Sequence, residues 1–383
     1  MRKAYKYRLY PNRSQAQALD AVLEQHRRLY NLALRERRDV YEAEERSFSY
    51  GEQSGRFKET RRVLPSFATL NFSSAQATLR RLDKAFKAFF RRVKSGDVPG
   101  YPRYKPEDRF RTVEYPSYGD GCRLKDNGRL YLQNIGHIKV KLHRPIEGTI
   151  KTVSVKRACG KWYVVFSCDL GDAPEPATDG AAVGIDLGLK NFLVTSDGES
   201  VEPPRYYRES QRKLRVAQRS VSRKKKGSNR RRKARQKVAH LHEKTANQRR
   251  DFHHKQARKL VDGRGLIAHE ALNVKGIART RLARSTHDAG WASFLNILSY
   301  KAEEAGTKVI AVDPRNTTQV CSACGALPET KKKLSDRVHS CGCGYTADRD
   351  LNAALNIKAL GLSVRDGTQW VATNVSREAV CFS

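Results

Sequence analysis

Four cysteines crowd into 23 residues of this chain, as Cys321, Cys324, Cys341 and Cys343, and the same run continues at once into Asp348 and Asp350. A CxxC pair followed sixteen residues later by a second close pair is close to zinc-ribbon spacing, so a structural Zn2+ is expected here. The second pair is CxC, which narrows its chelate loop, and His339 stands near enough to replace one thiolate. A metal knot at this point would deliver the adjoining carboxylates to a fixed place. The remaining cysteines, Cys122, Cys159, Cys168 and Cys381, are scattered singly, as reduced thiols in a reducing compartment would be.

Charge decides the class of partner. Seventy-five Lys and Arg against 40 Asp and Glu leave a formal net charge of +35 on 383 residues. Such an excess demands a polyanion, and nucleic acid is the natural one, because each neutralised phosphate releases counterions. A membrane surface is the alternative. No apolar run of spanning length exists, however, and the opening MRKAYKYRLYPN lacks the apolar centre of a signal peptide. The expectation is a cytoplasmic, nucleoid-associated protein without a membrane partner.

Along the chain, residues 3–10 alternate as a short strand that Pro11 stops. Ser14 with Gln17 reads as a capping box for a long helix reaching about residue 46, with Arg27, Arg28, Arg35, Arg37 and Arg38 on its outer face. A polar loop follows, and Ser73 or Ser74 then caps a second helix with Leu79, Leu82, Phe86, Phe89, Phe90 and Val93 as its apolar stripe. GYPRYK, from Gly100 to Lys105, interleaves aromatics with cations in a way that suits base stacking or a plain turn. Over about 108–170 the period shifts to two, and Asn127-Gly128 is a hairpin signal. The opening strand could join this small sheet or barrel, which would make the helices an insertion.

GDAPEPATDG reads as a linker, after which Val183 and Ile185 place Asp186 on a buried strand. Residues 205–259 hold 22 Lys or Arg and three acids, and are read as a basic helical hairpin turning near Lys226-Gly227-Ser228. The short apolar strand LIAHE ends on Glu270. A helix from Trp291 to Glu304 and a strand from Val309 to Val312 then lead into the cysteine region, an α/β alternation. The tail after about residue 361 shows little periodicity and reads as irregular.

An aspartate within a buried strand needs compensation, and a divalent metal supplies it. Asp186, Glu270 and Asp350 are far apart in sequence. Fed from neighbouring strands and an adjoining helix, they could hold two Mg2+ ions roughly 4 Å apart, the arrangement for in-line phosphodiester cleavage. No serine, histidine or tyrosine context suggests a covalent nucleophile, so hydrolysis is favoured over transfer through the protein.

GIDLG, LIAHEALNVKGI and the TTQVCSACG…CGCGYTADRDLNAALNI stretch resemble the three RuvC-type nuclease motifs and embedded zinc ribbon of the TnpB proteins, transposon-encoded relatives of type V CRISPR effectors. YKYRLYPNRSQAQAL, KAFKAFFRRVKSG with GYPRYK, and DAGWASFLNILSYKAEEAGTKVIAVDP are similar to that family as well, so the likeness spans most of residues 1–360. The resemblance implies an RNA-guided DNA endonuclease of α/β plus β-barrel class. An oligonucleotide-binding-like, wedge-like barrel (1–12 and 106–172) would be interrupted by a helical recognition insertion (13–105). A linker (173–180) would then join it to an RNase H-like RuvC domain (181–360), which carries the basic hairpin (205–260) and a zinc ribbon (317–345). A tail (361–383) would follow. It further implies Asp186, Glu270 and Asp350 as catalytic Mg2+ ligands, with Asp348 the competing third acid, and Cys321, Cys324, Cys341 and Cys343 as Zn2+ ligands. The implied partners are a guide RNA from the transposon end and target DNA bearing a short adjacent motif. A nuclease-dead repressor and a DNA-joining transposase are the other readings.

Overall fold

The computed structural model describes residues 1–175, 180–333 and 335–367. The chain forms two compact units, 1–172 and 173–383. Cys381 and residues 368–383 of the tail lie outside the described residues, as do 176–179 of the linker.

In the first unit, β1 (Arg2–Tyr10) leads into α1 (Arg13–Glu44), α2 (Tyr50–Val63), α3 (Pro65–Ala68) and α4 (Phe72–Lys94). Six strands follow: β2 (Thr112–Tyr115), β3 (Cys122–Leu124), β4 (Arg129–Leu132), β5 (Gly136–Lys141), β6 (Thr149–Ala158) and β7 (Lys161–Asp169). They form one antiparallel sheet in the order β2-β6-β7-β1-β5-β4-β3. The opening strand thus lies at the sheet's centre, between strands more than a hundred residues away in sequence. Its alternation buries Tyr5, Tyr7 and Leu9 beside Trp162, Val164 and Phe166 of β7. Among the described residues β2 and β3 are the edges of this sheet, a half-barrel that the opening strand joins as expected. Asn127-Gly128 turns the hairpin between β3 and β4, with Leu124 opposite Leu130.

Several sequence expectations are corrected in the helices. The capping box of α1 lies two residues earlier than Ser14: Asn12 accepts from the Gln15 amide at 2.8 Å, and Gln15 returns to the Asn12 amide at 3.1 Å. Pro11 ends the strand, and Asn12 is the first residue free to take the extended cap geometry. The region read as a polar loop contains α2, capped reciprocally by Ser49 and Glu52. The cap of α4 is Asn71, not Ser73 or Ser74. Arg37 does not join the outer basic face; it is buried, 3.2 Å from Asp83 and hydrogen-bonded to Gln53. In GYPRYK, Tyr101 packs edge-on against Phe86 and Phe89.

The second unit is built on a mixed sheet in the order β10-β9-β8-β11-β12. Its elements are β8 (Ala181–Asp186), β9 (Leu193–Thr195), β10 (Ser200–Val201), α5 (Tyr206–Ser222), α6 (Asn229–Val261), β11 (Arg264–Glu270), α7 (Val274–Ile277), α8 (Ala283–Ala289), α9 (Trp291–Ala305), β12 (Lys308–Val312), β13 (Val338–Ser340), β14 (Thr346–Asp348) and α10 (Arg349–Arg365). Strands β8, β11 and β12 run parallel, so both of their faces need cover. On one face Val183, Ile185 and Ile267 pack with Leu260 of α6 and with Phe294 and Leu298 of α9. The opposite face presents Leu266, Ala268, Ile310 and Val312 to Ile357 of α10. Helix α10 runs to Arg365, which corrects the irregular tail expected from residue 361. Helices α5 and α6 pack as a hairpin through Leu214 and Ala217, with Ser228 capping α6. Among the described residues no helix is long and apolar enough to cross a membrane.

Candidate active site

The parallel pairing of β8 with β11 brings two of the three acids together. Ile185 is opposite His269, so Asp186 and Glu270 end their strands side by side. With a period of two, Ala182, Gly184 and Asp186 share a face, as do Leu266, Ala268 and Glu270. That face is the one covered by α10. The helix lies unusually close, because a Cβ on Gly184 would stand 2.1 Å from the Ala354 carbonyl oxygen, and one on Gly361 2.4 Å from the Ala268 Cβ. Only glycine at both positions allows this seat, and Asp350, one turn before Ala354, is thereby placed at the strand ends.

Glu270 and Asp350 both lie near enough to Asp186 for their charges to act on it. Burial, and then the charges of Glu270 and Asp350, push Asp186 up to about 7. Burial also raises Glu270, against a lowering hydrogen bond from Thr317. Glu270 and Asp350 are buried and Asp186 is partly so. The compensating cation among their described neighbours is Arg349, 3.7 Å from Asp350. An acid cluster so under-compensated has the donor set and the charge deficit that a hard divalent cation fits.

Asp348 occupies a different place. Its exposed carboxylate accepts from the backbone amides of Asp350 at 2.8 Å and Leu351 at 3.4 Å, capping α10. The cap sets where the helix begins, and so which way Asp350 points.

The four cysteines also converge, with all four Sγ atoms within 4.8 Å of one another. Cys321 and Cys343 are 3.8 Å apart and Cys324 and Cys341 3.6 Å, too far for disulfides. A tetrahedral ion with bonds of about 2.3 Å would separate its sulfurs by about 3.8 Å, so the thiols fit such a site. Burial drives the Cys324 thiol up to about 12, while the Tyr345 amide and its neighbouring thiols draw Cys343 down to about 7. His339 is not part of this group. It is buried on β13, with Nδ1 against Lys332 Nζ, and the thiol set is complete without it.

The loop bearing Cys321 is tied to α10 by two buried asparagines. Asn352 Nδ2 donates to the Val320 carbonyl at 2.8 Å and its oxygen accepts from Ser322 N at 2.9 Å. Asn356 Nδ2 donates to the carbonyls of Thr317 and Val320, both at 2.8 Å. Neither asparagine was singled out from the sequence, nor were Thr317, Arg349 and Gly184. The available signal was two polar residues four apart within the apolar LNAALNI run, which one helix face must bury together.

Comparison with known proteins decides the family. A protein of Streptomyces pristinaespiralis named "Putative RNA-guided DNA endonuclease" is 35% identical over 373 residues, covering 95% of this chain and 90% of its own length. The chain belongs to the TnpB family. The Escherichia coli (strain K12) relative named "Putative RNA-guided DNA endonuclease InsQ" is 29% identical over 94% of this chain and 93% of its own length. Three family models match TnpB segments in order: a helix-turn-helix domain over 1–46, the family described as "Probable transposase" over 165–281, and the TNB domain of Cas12f1-like proteins over 291–357. In fold, the TnpB chain is similar to the solved structure of the mini-RNA-guided endonuclease CRISPR-Cas_phi3, with a TM-score of 0.50 at 9% identity over 94% of this chain and 92% of that one.

Proposed function

We propose that this TnpB chain is an RNA-guided, Mg2+-dependent DNA endonuclease that hydrolyses target DNA through a RuvC-like two-metal site. The observation that carries the reading is the placing of Asp186 beside Glu270 at the ends of parallel strands, with Asp350 near enough for its charge to act on Asp186. The second unit is then an RNase H-like nuclease domain with a Zn2+ ribbon on Cys321, Cys324, Cys341 and Cys343. The first unit is a wedge-like half-barrel (1–12 and 106–172) interrupted by a helical recognition insertion (13–105). The partners are a transposon-end guide RNA and target DNA with a short adjacent motif, met in the cytoplasm at the nucleoid. The relatives' names support this, as does the α/β architecture.

Bound to the acids, divalent cations supply water activation and stabilisation of the leaving 3′ oxygen. The chain's own residues do the positioning. Asp186 and Glu270 are fixed by the β8–β11 register, and Asp350 by the seat of α10 on Gly184 and by the Asp348 cap. The sulfur cluster and the two asparagines brace the loop that approaches Glu270. The exposed cations of α5 and α6 supply phosphate contacts, which position the nucleic acid and carry no base information. A nuclease-dead repressor would be expected to have lost an acid, and all three are present.

The test is guide-programmed cleavage. Asp186→Ala, Glu270→Ala or Asp350→Ala is expected to abolish cutting while guide and target binding survive, and changing the guide should redirect the cut. Full cleavage by Asp350→Ala with Asp348→Ala inactive would mean that the third acid is misassigned.

A further inference from the structure

Thr317 stands at a junction of the second unit. Its hydroxyl donates to Glu270 Oε1 and also lies 3.1 Å from the Pro314 carbonyl. Its backbone carbonyl accepts from Asn356 Nδ2, and Asn356 is itself buried at 2% exposure with no solvent to turn to. Thr317 is therefore joined through its side chain to the acid at the end of β11, and through its backbone to the helix that carries Asp350. Forty-seven residues separate Thr317 from Glu270, so the fold and not the local chain makes this contact.

The chemistry of the two groups says what the contact does. The terminal torsion of a glutamate is broad, so a carboxylate at the end of a strand has no intrinsic reason to face one way. A hydroxyl has a single proton, and donated to Oε1 it selects one rotation of the carboxylate. A carboxylate that must share a cation with another acid needs that rotation fixed before the ion arrives, since ligand orientation is set by partners outside the coordination sphere.

We propose that Thr317, held by Asn356, is the positioning residue that orients the Glu270 carboxylate beside Asp186 for divalent-cation capture. The proposal rests on reading Asp186, Glu270 and Asp350 as a cation site. Threonine at this place is then a requirement for a hydroxyl on a fixed backbone, which serine meets and valine, of nearly the same shape, does not.

Mn2+ serves as the probe, with its binding to the full chain followed by electron paramagnetic resonance for wild type, Thr317→Val, Thr317→Ser and Glu270→Gln. Thr317→Val is expected to weaken Mn2+ binding by about 10- to 100-fold, the usual effect of removing an outer partner of a metal ligand. Thr317→Ser should bind as wild type does. Zinc content and the unfolding midpoint of Thr317→Val should match those of Thr317→Ser, which separates orientation of the acid from folding of the cysteine loop. Should the valine variant fail to fold, Thr317→Ala provides the same comparison. Wild-type Mn2+ binding by Thr317→Val, with binding lost in Glu270→Gln, would overturn the proposal and leave the cation site standing. Unchanged binding in Glu270→Gln would remove the cation site and the proposal with it. Loss of zinc together with Mn2+ in Thr317→Val would make the threonine a structural element of the loop and overturn its positioning role.

Discussion

Removing a charge from the acid cluster should stabilise the metal-free protein. Asp186 is raised from 3.8 to about 7 by burial and by Glu270 and Asp350, so the folded state holds its proton more tightly than the unfolded state does. Its stabilising contribution is complete below pH 3.8, is lost as pH rises through that window, and is gone above about 7. Three units at about 1.36 kcal/mol each put the ceiling at about 4 kcal/mol, of which about 2 kcal/mol disappears between pH 5.5 and 8. Asp186→Asn keeps the shape and removes the titration. In chelator at pH 8 the variant should therefore unfold later than wild type, and its advantage should shrink by about 2 kcal/mol at pH 5.5. For a unit of this size that shrinkage is about 4–8 °C in the melting temperature of the second unit. Saturating Mg2+ should reverse the order, because wild type gains binding free energy that the variant lacks. Thermal melts of both proteins at the two pH values, with chelator and with Mg2+, read all of these effects. If the two proteins melt together at pH 8 in chelator, or differ equally at both pH values, Asp186 is not raised by its burial and its neighbouring carboxylates, and the reasoning fails.

The cysteine cluster and the basic hairpin give two more expectations. Cys321→Ser or Cys324→Ser should lower the melting temperature of the second unit and release zinc, since metal binding to such a site is folding free energy; elemental analysis should find one zinc per wild-type chain, and carefully purified protein without zinc would refute the knot. Replacing Arg230, Arg231, Arg232 and Lys233 together by neutral residues should weaken guide-RNA binding for every sequence alike and reduce the slope of log affinity against log salt by roughly 0.7–0.9 per lost phosphate contact. Most of that change is expected from Arg230, Arg232 and Lys233, which are exposed, because Arg231 is partly buried with its guanidinium on the Lys224 carbonyl. An unchanged slope would mean that these cations touch no phosphate.

What could be read from the chain alone follows from how local each signal is. The cysteine spacing and the Asn127-Gly128 turn act over a few bonds, so both were visible. Helix α2 was not, because it buries only Gln53 and Phe57 and leaves almost no apolar period to detect. The expected caps lie two or three residues late, since Asn12 competes with Ser14, and Asn71 with Ser73 or Ser74, on equal chemical terms. There the choice belongs to where the preceding segment ends. Arg37 read as surface because its partner Asp83 lies 46 residues away, and nothing in a helical period marks one arginine as inward. The candidate site shows the same division in sharper form. Each acid could be picked out because an apolar strand or a metal motif led up to it. Their meeting depends on the parallel register of β8 with β11, and on a helix allowed to touch the sheet only where Gly184 and Gly361 leave room. Glycine within a strand normally weakens it. At Gly184 that loss is offset by bringing α10, and with it Asp350, within reach of Asp186. The residue that looked least chemical in GIDLG is therefore the one on which the third acid's position depends.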